Sequence, residues 1–236
     1  MITVKKYQTG KEAGSGAVQN LFTILAENEM IPILLLFSGG SWLSLTIQNM
    51  AFFIHKNLSL SLLDERYSPL EKERNYYQLI NSPLFLQIQQ FSPLNLFPYS
   101  QNMDDTKEDI AEHVEKTFRN WKAQNPHGKI IICQGIGSDC HTAGIMPFPK
   151  DNTNFNTLFE SKNWVCSYDA AGKSVYPLRI TVTNTFLRIV DTSIVYLTGD
   201  DKKNAFYSLH LASKKLNLFP GQIIQEMKDV IIHSNL

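Results

Sequence analysis

The apolar residues of this chain fall into two alternating kinds of segment. Continuous apolar runs of strand length mark strands buried on both faces of a parallel sheet. The clearest are residues 31–37 (IPILLLF) and 129–133 (KIIIC), with further strand candidates at 58–63 (LSLSLL), 164–168 (WVCSY), 178–183 (LRITVT) and 193–198 (SIVYLT). Between them, apolar residues recur at helical spacing. Val18, Leu21, Phe22 and Leu25 predict a helix reaching Glu29 after a glycine-rich start at Gly10, Gly14 and Gly16, and residues 42–54 (WLSLTIQNMAFFI) read as a second helix. A third is expected from Asp104, where acidic residues crowd the first turn and Ile110, Val114, Phe118 and Trp121 make one stripe, until Asn125-Pro126-His127-Gly128 stops it. Ala205, Leu209, Leu211 and Ala212 carry helical spacing, and residues 223–233 (IIQEMKDVIIH) read as a closing helix and strand. Pro83, Pro93 and Pro98 oppose a helix, so residues 82–100 read as an irregular connection with room for one strand.

Strands alternating with helices imply an α/β fold with a mostly parallel central sheet covered on both faces, a three-layer, Rossmann-like arrangement. The length, 236 residues, suits one or two domains, and without a persuasive linker the expectation is a single domain over residues 1–236. Charge narrows the function. With 22 basic and 22 acidic side chains and no basic cluster, nothing in the charge points to nucleic acid or a membrane surface. Cys133, Cys140 and Cys166 are too few and scattered for a disulfide framework and fit a reducing compartment. The strongest apolar run is too short to span a bilayer, and the amino-terminus lacks the pattern of a secretion signal, so a cytoplasmic protein is expected.

Ligands of open α/β sheets gather at the carboxyl ends of strands. Four polar or glycine-rich segments follow or interrupt apolar runs here. Ser38-Gly39-Gly40-Ser41 offers backbone N–H groups to an anion, or is simply a tight strand-to-helix turn. Asp64-Glu65-Arg66 places a guanidinium beside carboxylates, able to hold a phosphate or polarise a carbonyl, or else a surface charge cluster. The loop at 134–147 holds His141 near Asp139, outside any apolar stripe; imidazole suits acid–base work and a carboxylate can orient it, or it is a loop histidine making ordinary hydrogen bonds. Arg179 and Lys202 lie in or follow strands expected to be neighbours, so they can converge on one phosphate or remain solvated surface charges. Zinc-type spacing is missing from Cys133, Cys140 and His141, there is no G-x-S-x-G nucleophile elbow, and G-x-G-x-x-G fails at Cys140. No metal is expected.

Taken in order, these segments resemble the 6-phosphogluconolactonase family, related in fold to glucosamine-6-phosphate isomerases. The family pattern appears here as SGGS at 38–41, DERYSP at 64–69, GIGSDCHTAGIMP at 135–147, RITVT at 179–183 and GDDK at 199–202. The resemblance implies hydrolysis of 6-phospho-D-glucono-1,5-lactone to 6-phosphogluconate in the pentose phosphate pathway, without a cofactor or covalent intermediate, by a monomer. His141 is then the general base, Asp139 its orienting partner and Asp64 a further catalytic-site carboxylate. Arg66 lies near the phosphate or the developing oxyanion. Ser38, Gly39, Gly40, Ser41, Arg179 and Lys202 hold the phosphate. Cys140 departs from the family's glycine, Trp42 and Ser44 from its Thr and Pro, and Gly144 from a common serine. Two alternatives are an isomerase or deaminase of glucosamine 6-phosphate and a non-catalytic sugar-phosphate-binding homologue. The first usually carries an acid five residues after the histidine, where this chain has Met146, and reads D-E-Y where this chain reads DER.

Overall fold

The computed structural model describes residues 1–45, 57–91, 94–96, 99, 104–211 and 215–236. They form two sheets. The larger is seven-stranded and wholly parallel, built from β1 (Ile2–Lys6), β2 (Ile33–Phe37), β3 (Leu58–Leu62), β5 (Leu94–Leu96), β6 (Lys129–Gly135), β9 (Thr192–Leu197) and β10 (Val230–Ser234) in the order β1-β10-β9-β6-β2-β3-β5. The smaller is antiparallel, in the order β4-β8-β7, from β4 (Asp64–Arg66), β7 (Val165–Asp169) and β8 (Leu178–Val182). The helices are α1 (Gly10–Glu27), α2 (Asn75–Ile80), α3 (Pro83–Phe91), α4 (Lys107–Gln124), α5 (Asn152–Phe159), α6 (Asn184–Leu187) and α7 (Lys203–Ser208). This is the α/β architecture, with helices flanking a mostly parallel sheet, that the alternation of patterns predicts.

Every residue of β2 is buried, as a central parallel strand covered on both faces requires. In register, Leu35 lies between Leu60 of β3 and Ile131 of β6. Two long helices begin at reciprocal capping boxes: Thr9 with Glu12 for α1, and Thr106 with Asp109 for α4. Each turns its apolar stripe inward, α1 through Val18, Leu21 and Leu25, α4 through Ile110, Val114, Phe118 and Trp121.

The strand order positions the site. After β2 the chain builds outward through β3 and β5, then returns to β6 on the other flank of β2 and continues through β9 and β10. Strand order therefore reverses between β2 and β6, and loops leaving that switch point diverge and open a crevice. The Ser38–Ser41 turn follows β2, and the His141 loop follows β6.

Several expectations needed correction. Residues 83–91 are helical, because Pro83 is the first residue of α3, where its missing N–H costs nothing, and the Ser82 hydroxyl accepts from the Phe85 N–H. The chain at 178–183 does not neighbour the chain at 193–198: β8 lies in the small sheet and β9 in the large one. Strand β1 was not anticipated, although Ile2 and Val4 alternate with polar residues. The first helix stops at Glu27, the stretch expected to be the closing helix is a 3-10 turn (Pro220–Glu226), and α7 ends at Ser208. Of the helix expected over 42–54, Trp42 closes a 3-10 turn (Gly40–Trp42) and residues 46–54 lie outside the described residues. Among the described residues, no helix is long and apolar enough to cross a membrane.

Candidate active site

At the carboxyl ends of β2, β6 and β9, and beside the small sheet, lies a cavity of about 350 Å³. Its walls include Ser38, Gly39, Gly40, Ser41, Asp64, Arg66, Asn75, His141, Arg179 and Lys202. Nine of the ten residues expected from the sequence therefore meet in one space. The tenth, Asp139, stands behind His141 and touches it. A wider, shallower groove of about 850 Å³ runs along β1 and α1, but neither imidazole nor guanidinium is among its walls.

The imidazole is fixed from two sides. Asp139 Oδ1 lies 2.5 Å from His141 Nδ1 and also accepts from the His141 backbone N–H at 3.1 Å. Burial pushes the Asp139 carboxyl up, but the hydrogen bond and charge of the imidazole, with the backbone N–H, hold it below the usual carboxylate range. A carboxylate at Nδ1 keeps the ring proton there and leaves Nε2 as the basic nitrogen. Beneath the ring is Gly137: a Cβ built there meets His141 Nδ1 at 2.2 Å. The loop closes on itself through Gly137 N–H to the His141 carbonyl and Cys140 N–H to the Gly137 carbonyl, both at 2.9 Å. Cys140 adopts φ 65°, in the left-handed region that favours glycine, and its thiol turns inward, accepting from the Ser208 hydroxyl at 3.3 Å.

The turn after β2 is tied to this loop, since Ser38 N–H donates to the Cys133 carbonyl at 2.9 Å and the Ser38 hydroxyl accepts from Gly135 N–H at 3.2 Å. Gly40 has φ 79° and open space around it. Among the described residues, the N–H groups of Gly39, Gly40 and Ser41 have no protein acceptor, so they are available to an anion. Trp42 does not narrow the cavity; its indole is wholly buried, donates to the Gln134 carbonyl at 3.0 Å and packs on Phe37 and Tyr196.

The cations differ in their engagement. Arg179 is buried and donates to Asp64 Oδ2 at 3.0 Å, to the Tyr176 carbonyl at 3.0 Å and to the Ser174 hydroxyl at 2.9 Å. Its charge is thus balanced by Asp64. Arg66 donates to the Glu73 carbonyl at 3.1 Å, with its guanidinium 4.5 Å from the centre of the Tyr176 ring. Lys202, half-buried after β9, has no carboxylate within ion-pair range among the described residues. Asp201 is exposed on the same wall.

Sequence reasoning missed Asn75. Its side-chain amide donates to the Asp64 carbonyl at 3.0 Å and to Asp64 Oδ2 at 3.1 Å, while its oxygen presses against Gly39, where a Cβ would approach to 2.4 Å. Gly39 is therefore glycine to admit this amide as much as to admit a ligand. Glu65 holds Asn75 in place. Its wholly buried carboxylate accepts the N–H groups of Arg66 and Asn75 at 2.6 Å and of Tyr76 at 2.8 Å. Burial pushes the Glu65 carboxyl up to about 7 against the pull of those three N–H groups, and the nearby Asp64 charge adds to the push. The signal available was Asn75 itself, a polar residue opening a helix nine residues after DER; nothing in its spacing told where its side chain points. Among the described residues, no group of three or more His, Cys, Asp or Glu side chains is placed to hold a metal.

Fold and site together define a parallel α/β protein with a basic, imidazole-bearing cavity at its topological switch point. The model of the family described as glucosamine-6-phosphate isomerases/6-phosphogluconolactonase matches residues 8–232, and the chain belongs to that family. Among solved structures it is similar to the 6-phosphogluconolactonase of Leishmania guyanensis, with 17% identity, a TM-score of 0.72, and coverage of 99% of this chain and 96% of that one. It is also similar to the Thermotoga maritima 6-phosphogluconolactonase (16% identity, TM-score 0.69, 99% and 98% covered) and the Plasmodium vivax one (17%, 0.73, 98% and 89%). At these identities the likeness is one of fold. A search of curated proteins gives no match.

Proposed function

We propose that this chain hydrolyses 6-phospho-D-glucono-1,5-lactone to 6-phosphogluconate by general-base activation of water. The observation that carries the reading is one cavity joining the Asp139-braced imidazole of His141 to three cations and to the open amides of the Ser38–Ser41 turn. Nε2 of His141 takes a proton from water as the water oxygen bonds to the lactone carbonyl carbon. The carbonyl oxygen gathers the negative charge, which a neighbouring cation or amide stabilises. Collapse of that tetrahedral species re-forms the carbonyl and breaks the bond to the ring oxygen, which leaves with the proton returned by the imidazolium. Water is consumed, an acid and an alcohol are formed, and the base is restored.

Arg66, Lys202 and the amides of Gly39, Gly40 and Ser41 bind the phosphate, and Arg179, neutralised by Asp64, shapes the wall between them. Met146 is buried where an isomerase or deaminase carries an acid, which speaks against the amino-sugar reaction. The test is a paired assay of the native protein. Lactone opening is expected well above the spontaneous rate, with no ammonia released from glucosamine 6-phosphate. Ammonia release, or lactone opening no faster than in buffer, contradicts the proposal.

A further inference from the structure

Arg66 and Arg179 are register partners in the antiparallel pairing of β4 and β8. Residues directly opposite share a face with Cβ atoms about 5 Å apart, and like charges in that position destabilise a sheet. Two guanidinium groups are nevertheless set side by side on the wall of the cavity. Each is restrained by a different device. Arg179 is answered by Asp64, its diagonal neighbour across the strands, at 3.0 Å. Arg66 lies against an aromatic face, that of Tyr176, at 4.5 Å.

Tyr176 belongs to the turn joining β7 to β8, and that turn reaches both arginines. The Tyr176 carbonyl takes Arg179 Nε, the Ser174 hydroxyl takes Arg179 Nη2, and the Tyr176 N–H donates to the same hydroxyl at 3.2 Å. The Tyr176 ring is half-buried and is not itself a wall of the cavity. An aromatic face leaves a guanidinium its charge and its donors, whereas a carboxylate would cancel the charge. The ring face thus steadies the Arg66 guanidinium beside a like charge and adds no negative charge of its own.

We propose that Tyr176 is a positioning residue for anion binding, holding the Arg66 guanidinium opposite Arg179 so that it meets the phosphate ester of the substrate. The inference rests on the reading of the cavity as a sugar-phosphate site, and binding measurements separate the two. Inorganic phosphate and 6-phosphogluconate are titrated calorimetrically into the native chain, Tyr176→Phe, Tyr176→Leu, Arg66→Gln and the Arg66→Gln/Tyr176→Leu double variant, with melting curves to confirm folding. Tyr176→Leu is expected to weaken both ligands about 2- to 30-fold, the span of a cation–π contact, and Tyr176→Phe less than about two-fold. In the Arg66→Gln background, Tyr176→Leu is expected to add almost nothing, a coupling that general loosening of the turn would not produce. In turnover the loss falls on KM rather than kcat. Unchanged affinity in Tyr176→Leu, an equal loss in Tyr176→Phe, or an undiminished effect without Arg66 overturns the role of Tyr176. A native chain that binds phosphate with this dependence but opens no lactone contradicts the hydrolase reading alone. One that binds no phosphate overturns both.

Discussion

Gly137 has no side chain because the imidazole of His141 occupies the space that one would fill. A methyl group there must push the ring off Asp139 or out of the cavity, and a misplacement of about 1 Å at a reacting group can cost 10²-fold in rate. Gly137→Ala is therefore expected to lower kcat about 100-fold or more while 6-phosphogluconate still binds, measured by lactone hydrolysis and calorimetry side by side. At this scale the sequence was most informative. His141, Asp139, Arg66 and the Ser38–Ser41 turn could be named because their motifs are contiguous and sit at strand ends. Asn75 and Tyr176 could not, since the contacts that single them out depend on which neighbour their side chains reach across the fold. Cys140 shows the limit from the other side: nothing in the sequence told that this residue takes a left-handed φ and buries its thiol.

Among the elements, α2 depends most on a single group. It has no side-chain cap at its N-cap residue, Arg74, and its first N–H groups are met instead by Glu65 reaching over from β4. In Glu65→Gln one of the three N–H donors faces an amide NH₂, and a buried donor left without an acceptor costs about 1–3 kcal/mol. Denaturant melts should show a loss of that size, together with weaker substrate binding as Asn75 and its hold on Asp64 loosen; an unchanged midpoint would contradict this account of α2. Element type was readable wherever apolar runs were long, as in β2, β6 and α4. At α3 it was hidden, because proline opposes a helix interior but not its first turn. The small sheet was also illegible as a separate unit, because an apolar run does not say which sheet it joins.

In the whole molecule, the reversal of strand order between β2 and β6 brings residues more than a hundred positions apart into one cavity. Alternating patterns foretold the parallel sheet, but not its order or the antiparallel sheet beside it, because pairing is a property of the folded chain. The far edge carries a different consequence. His233 is wholly buried in β10, with Tyr7 at Nδ1 at 2.9 Å and Asn20 Oδ1 at Nε2 at 3.0 Å. Burial, and then the charge of Lys5, pushes it down to about 4 from the ordinary 6.5. The unfolded chain therefore binds the proton more readily than the folded one. The stability held by the neutral ring is complete above about pH 6.5 and drains away as pH falls toward 4, by on the order of 3 kcal/mol. Urea melts across that range should show this decline, and it should flatten in His233→Gln. A decline of the same slope in that variant would assign it to other groups.

The account turns on His141 acting as a base within an anion-binding cavity. The most direct measurement is hydrolysis of 6-phospho-D-glucono-1,5-lactone by His141→Ala and by the native chain, corrected for spontaneous opening, with 6-phosphogluconate affinity measured on both. The predicted result is a loss of about 10²–10⁴-fold in kcat at nearly unchanged affinity. Equal turnover by the two proteins would contradict it.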